Sequence, residues 1–88
     1  MIINLTYVKN VEYTSKSGNK VKGAEFHGVI QDPEPNDHAI GNPCFIQYVA
    51  NVNWEDYPTN ELYSVNFEVT IFNGKPQARV TGLTMFEG

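Results

Sequence analysis

The chain has 88 residues and a mass of 9.9 kDa, enough for a single domain (1–88) that buries about 60–65% of its unfolded surface. Apolar residues at 41% and charged residues at 18% support a packed core and exclude a disordered tail. The single cysteine excludes an internal disulfide framework and a Cys-rich zinc site, and a formal net charge of −4 argues against uniform attraction to nucleic acid.

Residues 2–8 are β-branched and partly alternating, which predicts a first strand. Residues 11–15 alternate strictly, with Val11 and Tyr13 on one face. Lys16-Ser17-Gly18-Asn19-Lys20-Val21-Lys22-Gly23 places two glycines and an Asn among lysines, the composition of a hairpin tip that projects into water. Residues 24–30 form the return arm. The stretch from Asp32 to His38 holds two prolines and three acids and reads as a loop. The most apolar run, 43–52, is expected to be the central strand, with Cys44 as a small core residue of a protein in a reducing compartment. Residues 53–60 connect onward with room for one helical turn. Residues 61–72 alternate throughout, and the face made by Tyr63, Val65, Phe67, Val69 and Ile71 is expected to pack inward. Asn73-Gly74 is a strong type I′ hairpin signal, because that turn needs positive φ at both central positions. The return strand runs from Pro76 to Met85, where Gly82 suggests a bulge. Five short strands with regular turn signals and no amphipathic helix predict an all-β, five-stranded antiparallel barrel. The oligonucleotide-binding (OB) barrel is the favoured form and the SH3-like barrel the next.

No apolar run reaches the roughly 18–20 residues that span a bilayer, so no membrane association is expected. The N-terminus lacks the basic region and cleavage site of a signal peptide. A strand beginning at Met1 suggests a complete chain. Catalytic motifs are missing: there is no Gly-x-Ser-x-Gly and no phosphate-cradling loop before a helix. His27 reads as a structural strand histidine. His38 sits in the acidic loop without the spacing of a calcium site. Neither an enzyme nor a cofactor is expected.

Binding chemistry is better supplied. All six basic residues lie in two places: Lys9, Lys16, Lys20 and Lys22 near the start, Lys75 and Arg79 near the end. Between Gly23 and Gly74 there is no cation against eight acids. Eleven aromatics exceed what so small a core needs. Single-stranded nucleic acid requires cations that track phosphates together with aromatic faces on which bases stack. The hairpin carries Lys16, Lys20 and Lys22 at its tip, with Phe26 on its return arm.

The spacing Tyr13-Thr14-Ser15-Lys16-Ser17-Gly18, then Gly23 and Phe26, resembles the DNA-binding wing of the gene V single-stranded-DNA-binding proteins of filamentous bacteriophages. The likeness extends to Pro43 and the strand after it, to Leu62-Tyr63-Ser64-Val65, and to the Asn73-Gly74-Lys75-Pro76 hairpin. It implies an OB-fold homodimer that coats single-stranded viral DNA cooperatively, without regard to sequence, during replication and packaging in the host bacterial cytoplasm. By this resemblance the wing spans about residues 13–30 and the dimer hairpin about 66–82. Lys16 matches a basic DNA contact, Phe26 a stacking tyrosine, and Tyr63 an aromatic near the DNA groove. Lys20, Lys22, Lys75 and Arg79 are further candidate phosphate contacts, and Tyr48 a further stacking ring; RNA would satisfy the same chemistry. The chain departs from the family pattern at Val21, Gln47 and Gly82, where cations are expected. It also departs at Gly28, where an apolar residue is expected, and in its longer acidic loop at 31–42. Each lost cation removes about one phosphate contact, so binding should be weaker and less salt-sensitive than in a basic relative. The alternative is an acidic phage adaptor of the same fold that binds a host protein, with Trp54 and Tyr57 as anchors.

Overall fold

The structure is a computed structural model, described here over residues 1–86. Five strands follow in chain order: β1 (Ile2–Thr14), β2 (Lys20–Ile30), β3 (Cys44–Ala50), β4 (Glu61–Phe72) and β5 (Lys75–Met85). A single 3-10 turn, Trp54–Asp56, precedes β4, with the Asn53 side chain accepting from the Glu55 N–H at its start. All pairings are antiparallel, in one sheet of order β3-β2-β1-β4-β5. The sheet is not closed by hydrogen bonds, which leaves β3, expected to be the central strand, and β5 at the edges, with β1 in the centre.

The segments expected at 2–8 and 11–15 are one strand of 13 residues. Pairing is regular through Lys9 and Asn10, where the break was expected, and the irregularity lies at Thr6 instead. The register passes from Leu5↔Gly28 to Tyr7↔His27, so Thr6 is an extra residue that inverts the alternation. Ile3 and Leu5 face inward before the bulge and Val8 after it. Thr6 Oγ1 donates to the His27 carbonyl at 3.2 Å. A second bulge lies where Gly82 predicts one: Asn66 pairs with Gly82 and Phe67 with Val80, leaving Thr81 unpaired.

The core consists of Ile3, Leu5, Ala24, Phe26, Phe45, Val49, Tyr63, Val65 and Leu83, flanked by the partly buried Val8, Ile30, Val52, Tyr57 and Val80. Phe26 meets Tyr57 edge-on at 4.8 Å, and the Tyr63 hydroxyl donates to the Pro58 carbonyl at 2.8 Å. Burying an aromatic body while its polar tip finds a partner is the low-cost way to use tyrosine in a core. Cys44 is exposed, contrary to expectation. In the apolar run 44–46 the two-residue alternation of the strand buries Phe45 alone.

Two ribbons project from the sheet. β1 pairs with β4 only over Ile2 to Leu5, and β3 reaches along β2 only as far as Gly23. Residues 12–22 therefore form a two-stranded wing. Beyond Val65, whose N–H donates to the Met1 carbonyl, β4 has only β5 beside it. Residues 66–82 are a second ribbon, closed by Asn73 (φ 52°) and Gly74 (φ 76°), the two positive φ angles of a type I′ turn. With both ribbons projecting, the radius of gyration is 14.8 Å, against about 12 Å for a compact chain of this length.

The inward packing expected along all of β4 holds only for Tyr63 and Val65. Phe67, Val69 and Ile71 are 48%, 72% and 77% exposed. They continue the core face onto the second ribbon, where the one sheet offers nothing to cover them.

Candidate nucleic-acid interface

The wing turn is held by its own polar groups. Ser15 N–H donates to the Asn19 carbonyl at 2.8 Å and Gly18 N–H to the Ser15 carbonyl at 2.9 Å. Gly18 takes a φ of 86°, and the Ser15 and Ser17 hydroxyls lie 2.9 Å apart. This presents exposed Lys16 at the apex of a fixed turn. Lys20 and Lys22 follow on β2, opposite Thr14 and Glu12. Lys22 approaches Glu12 at 4.0 Å, an exposed pair of the kind worth little and easily exchanged for a phosphate.

Lys75 and Arg79 lie on the other ribbon, both exposed, with Arg79 directly across from Glu68. The wing cations and these two therefore occupy different hairpins. The sites coincide with the loop between strands 1 and 2 and the loop between strands 4 and 5.

The expected stacking residues behave differently from one another. Phe26 and Tyr63 are 0% and 2% exposed and offer no face to a base. Phe26 shares the inward face of β2 with Ala24, so the same alternation that makes the strand removes it from the surface. Burial first, then the charge of Glu61 and the neighbouring Tyr57, push the Tyr63 phenol pKa up. Tyr48 is half-buried on the opposite face of the sheet. Its ring lies over Gly23, where a Cβ would come within 2.4 Å of the Val49 carbonyl oxygen and 2.9 Å of the Tyr48 ring. The Tyr48 hydroxyl is buried and makes no well-formed hydrogen bond, with the Tyr13 phenol as its polar neighbour; burial, then the charge of that phenol and its contact with it, raise the Tyr48 pKa.

The aromatics that reach solvent on this face are Tyr7 and Tyr13, each 50% exposed. The strand pairs Tyr7↔His27, Lys9↔Glu25 and Tyr13↔Val21 put both rings and Lys9 on one side of the sheet. The signal in the sequence was the alternation of β1, and the Thr6 bulge hid it.

Elsewhere, His27 Nε2 and Glu25 Oε1 are 2.6 Å apart. Among the described residues no group of three His, Cys, Asp or Glu side chains is placed to hold a metal ion. No helix among them is long and apolar enough to cross a membrane. The acidic loop is pinned at its ends: Asp32 Oδ1 accepts from the Ile2 N–H at 2.7 Å, and Asn42 Nδ2 donates to the Ile30 carbonyl at 2.7 Å. It walls an open cleft of about 890 Å³ together with Met1 and Ile30. Comparison with family models, with curated proteins and with solved structures finds no match to this chain.

Proposed function

We propose that this chain binds and coats single-stranded nucleic acid as a homodimer, in the manner the resemblance to the gene V-type phage proteins implies. The setting would be viral DNA replication and packaging in a bacterial host. The observation that carries the reading is the placement of cations. Every Lys and Arg lies on β1, β2, β5 or the two hairpin turns. In a partly open OB barrel the loops between strands 1 and 2 and between strands 4 and 5 are the ones that meet an oligonucleotide. The strand order β3-β2-β1-β4-β5 is compatible with such a barrel opened between β3 and β5. A weakly acidic protein can still bind a polyanion through local clusters of cations; here the wing carries Lys16, Lys20 and Lys22 against a single acid, Glu12.

The exposed apolar side of the 66–82 ribbon supports the dimer. Phe67, Val69 and Ile71 pair across the ribbon with Val80, Ala78 and Pro76, while the other side carries Glu68, Arg79, Thr70 and Gln77.

The test is anisotropy of a fluorescent oligo-dT of about 30 nucleotides at low and moderate salt, with duplex DNA as comparison. Salt-sensitive, cooperative binding of the single strand is expected. Replacing Lys16, Lys20 and Lys22 together by Glu is expected to abolish it while the far-ultraviolet circular dichroism stays that of the parent. Unchanged affinity in that variant would end the wing assignment. A second reading, an acidic adaptor for a host protein, is favoured by the exposed Trp54 beside Glu55 and Asp56 and by the acidic cleft at 32–43. Absence of oligo-dT binding at low salt, where cations act at longest range, would favour it.

A further inference from the structure

We propose that the bases stack on the outer face of β1–β2–β3, on Tyr7 and Tyr13, with Lys9 as the phosphate contact between them. This rests on the single-strand reading above and assigns its stacking surface to residues other than Phe26 and Tyr63, which the core has consumed.

The two rings are set alike. Tyr7 is held edge-on by the His27 ring, with centroids 4.9 Å apart and planes at 82°. Tyr13 is braced by Tyr48 at 6.2 Å and 55°. Tyr48 in turn is seated in the space that Gly23 leaves open. Each exposed ring is thus supported by a second aromatic and free to solvent over about half its surface. A ring already fixed in place loses little freedom when a base lands on it, so more of the stacking energy appears as affinity. Six residues separate the two tyrosines, about 20 Å along the strand. They are separate platforms along one path, with Lys9 between them, nearer Tyr7, and Lys16 at the far end beyond Tyr13.

The chemistry of the face selects a single strand. Among the described residues of this face the charged groups are Lys9 and Glu25, with His27 titratable beside them, and Glu25 is already engaged by His27. A negatively charged ligand therefore meets one cation, Lys9, with the Glu25 carboxylate across from it turned onto His27, and otherwise uncharged rings. The 66–82 ribbon offers the opposite: aliphatic side chains and one phenylalanine, with no cation on that side, as suits another protein surface. Duplex DNA has its base faces stacked internally and has nothing to place on Tyr7 or Tyr13.

The experiment uses the full chain, the same oligo-dT, and the variants Tyr7→Ala, Tyr13→Ala and Tyr7→Phe with Tyr13→Phe. Each alanine variant is expected to weaken binding about 5- to 100-fold. The slope of log affinity against log salt should stay unchanged, because no cation is lost. The double phenylalanine variant should bind like the parent. As a second readout that needs no variant, photocrosslinking of 5-bromodeoxyuridine oligonucleotide to the parent protein should map to Tyr7 or Tyr13. If the parent binds and both alanine variants bind within twofold of it, or the crosslinks fall only on other residues, the stacking assignment is overturned and the coat-protein reading stands. If the parent does not bind oligo-dT at all, both fall together.

Discussion

At the scale of single residues, two positions report how the outer face is built. Gly23 is buried in mid-strand with a backbone carbonyl on one side and the Tyr48 ring on the other. A methyl group there must displace a strand, so Gly23→Ala is expected to cost about 2 kcal/mol or more, read as a lower urea midpoint at unchanged slope. Tyr48 carries the one buried side-chain polar atom without a partner among those described. Tyr48→Phe removes an unpaired hydroxyl and keeps the ring, so it is expected to stabilise the fold by about 1 kcal/mol. The pH dependence has a definite sign. Tyr48, Tyr57 and Tyr63 all have pKa values raised above 10.0 in the fold, mainly by burial. In the unfolded chain they ionise first, so the unfolded state binds fewer protons and stability falls as pH rises. Stability should be fully present below pH 10 and decline above it, and Tyr48→Phe should make the decline shallower. A urea midpoint that does not move between pH 8 and pH 10.5 would contradict this.

At the scale of elements, the wing and the second ribbon are separable by charge. If only Lys9, Lys16, Lys20 and Lys22 neutralise phosphates, the salt slope for single strands is about −3 per subunit; with Lys75 and Arg79 it is about −4. Measuring parent and Lys75→Ala/Arg79→Ala protein across the same salt range decides whether the 4–5 hairpin touches nucleic acid. Much of this architecture was legible in advance. The twelve alternating residues of β4 and the Asn73-Gly74 turn fixed their hairpin because local chemistry and fold agree there. Gly82 marked its bulge for the same reason. What misled was parity. Thr6 inverts the alternation of β1, so Tyr7 reads as an ordinary strand residue when it is an outward one. Gly23 looks like part of a turn because glycine usually is, whereas here the ring of Tyr48 requires it. Phe26 and Tyr63, which the resemblance expects at the DNA surface, lie on the inner face of the sheet, where neighbours a motif does not list decide that they are buried.

At the scale of the whole molecule, one chain leaves too much surface. It exposes 6579 Å², about 1,400 Å² more than the ~5,200 Å² expected for a folded monomer of this mass. A standard interface buries about 800 Å² per partner, so the excess is enough to accommodate a twofold contact. The apolar side of residues 66–82 is the contiguous part of that excess, and an isologous contact lets each copy cover the other's Phe67, Val69 and Ile71. The expected outcome is sedimentation at about twice 9.9 kDa at micromolar concentration. Val69→Asp with Ile71→Asp should sediment as a monomer. That variant should remain folded, because neither residue belongs to the core. Its thermal midpoint should lose the concentration dependence that a dimer imposes. If the chain binds oligo-dT, this variant should bind it more weakly, because the monomer loses the second, linked site that the dimer provides. A parent chain that sediments as a monomer across the micromolar range would leave Val69 and Ile71 facing water, and the dimer would have to be abandoned.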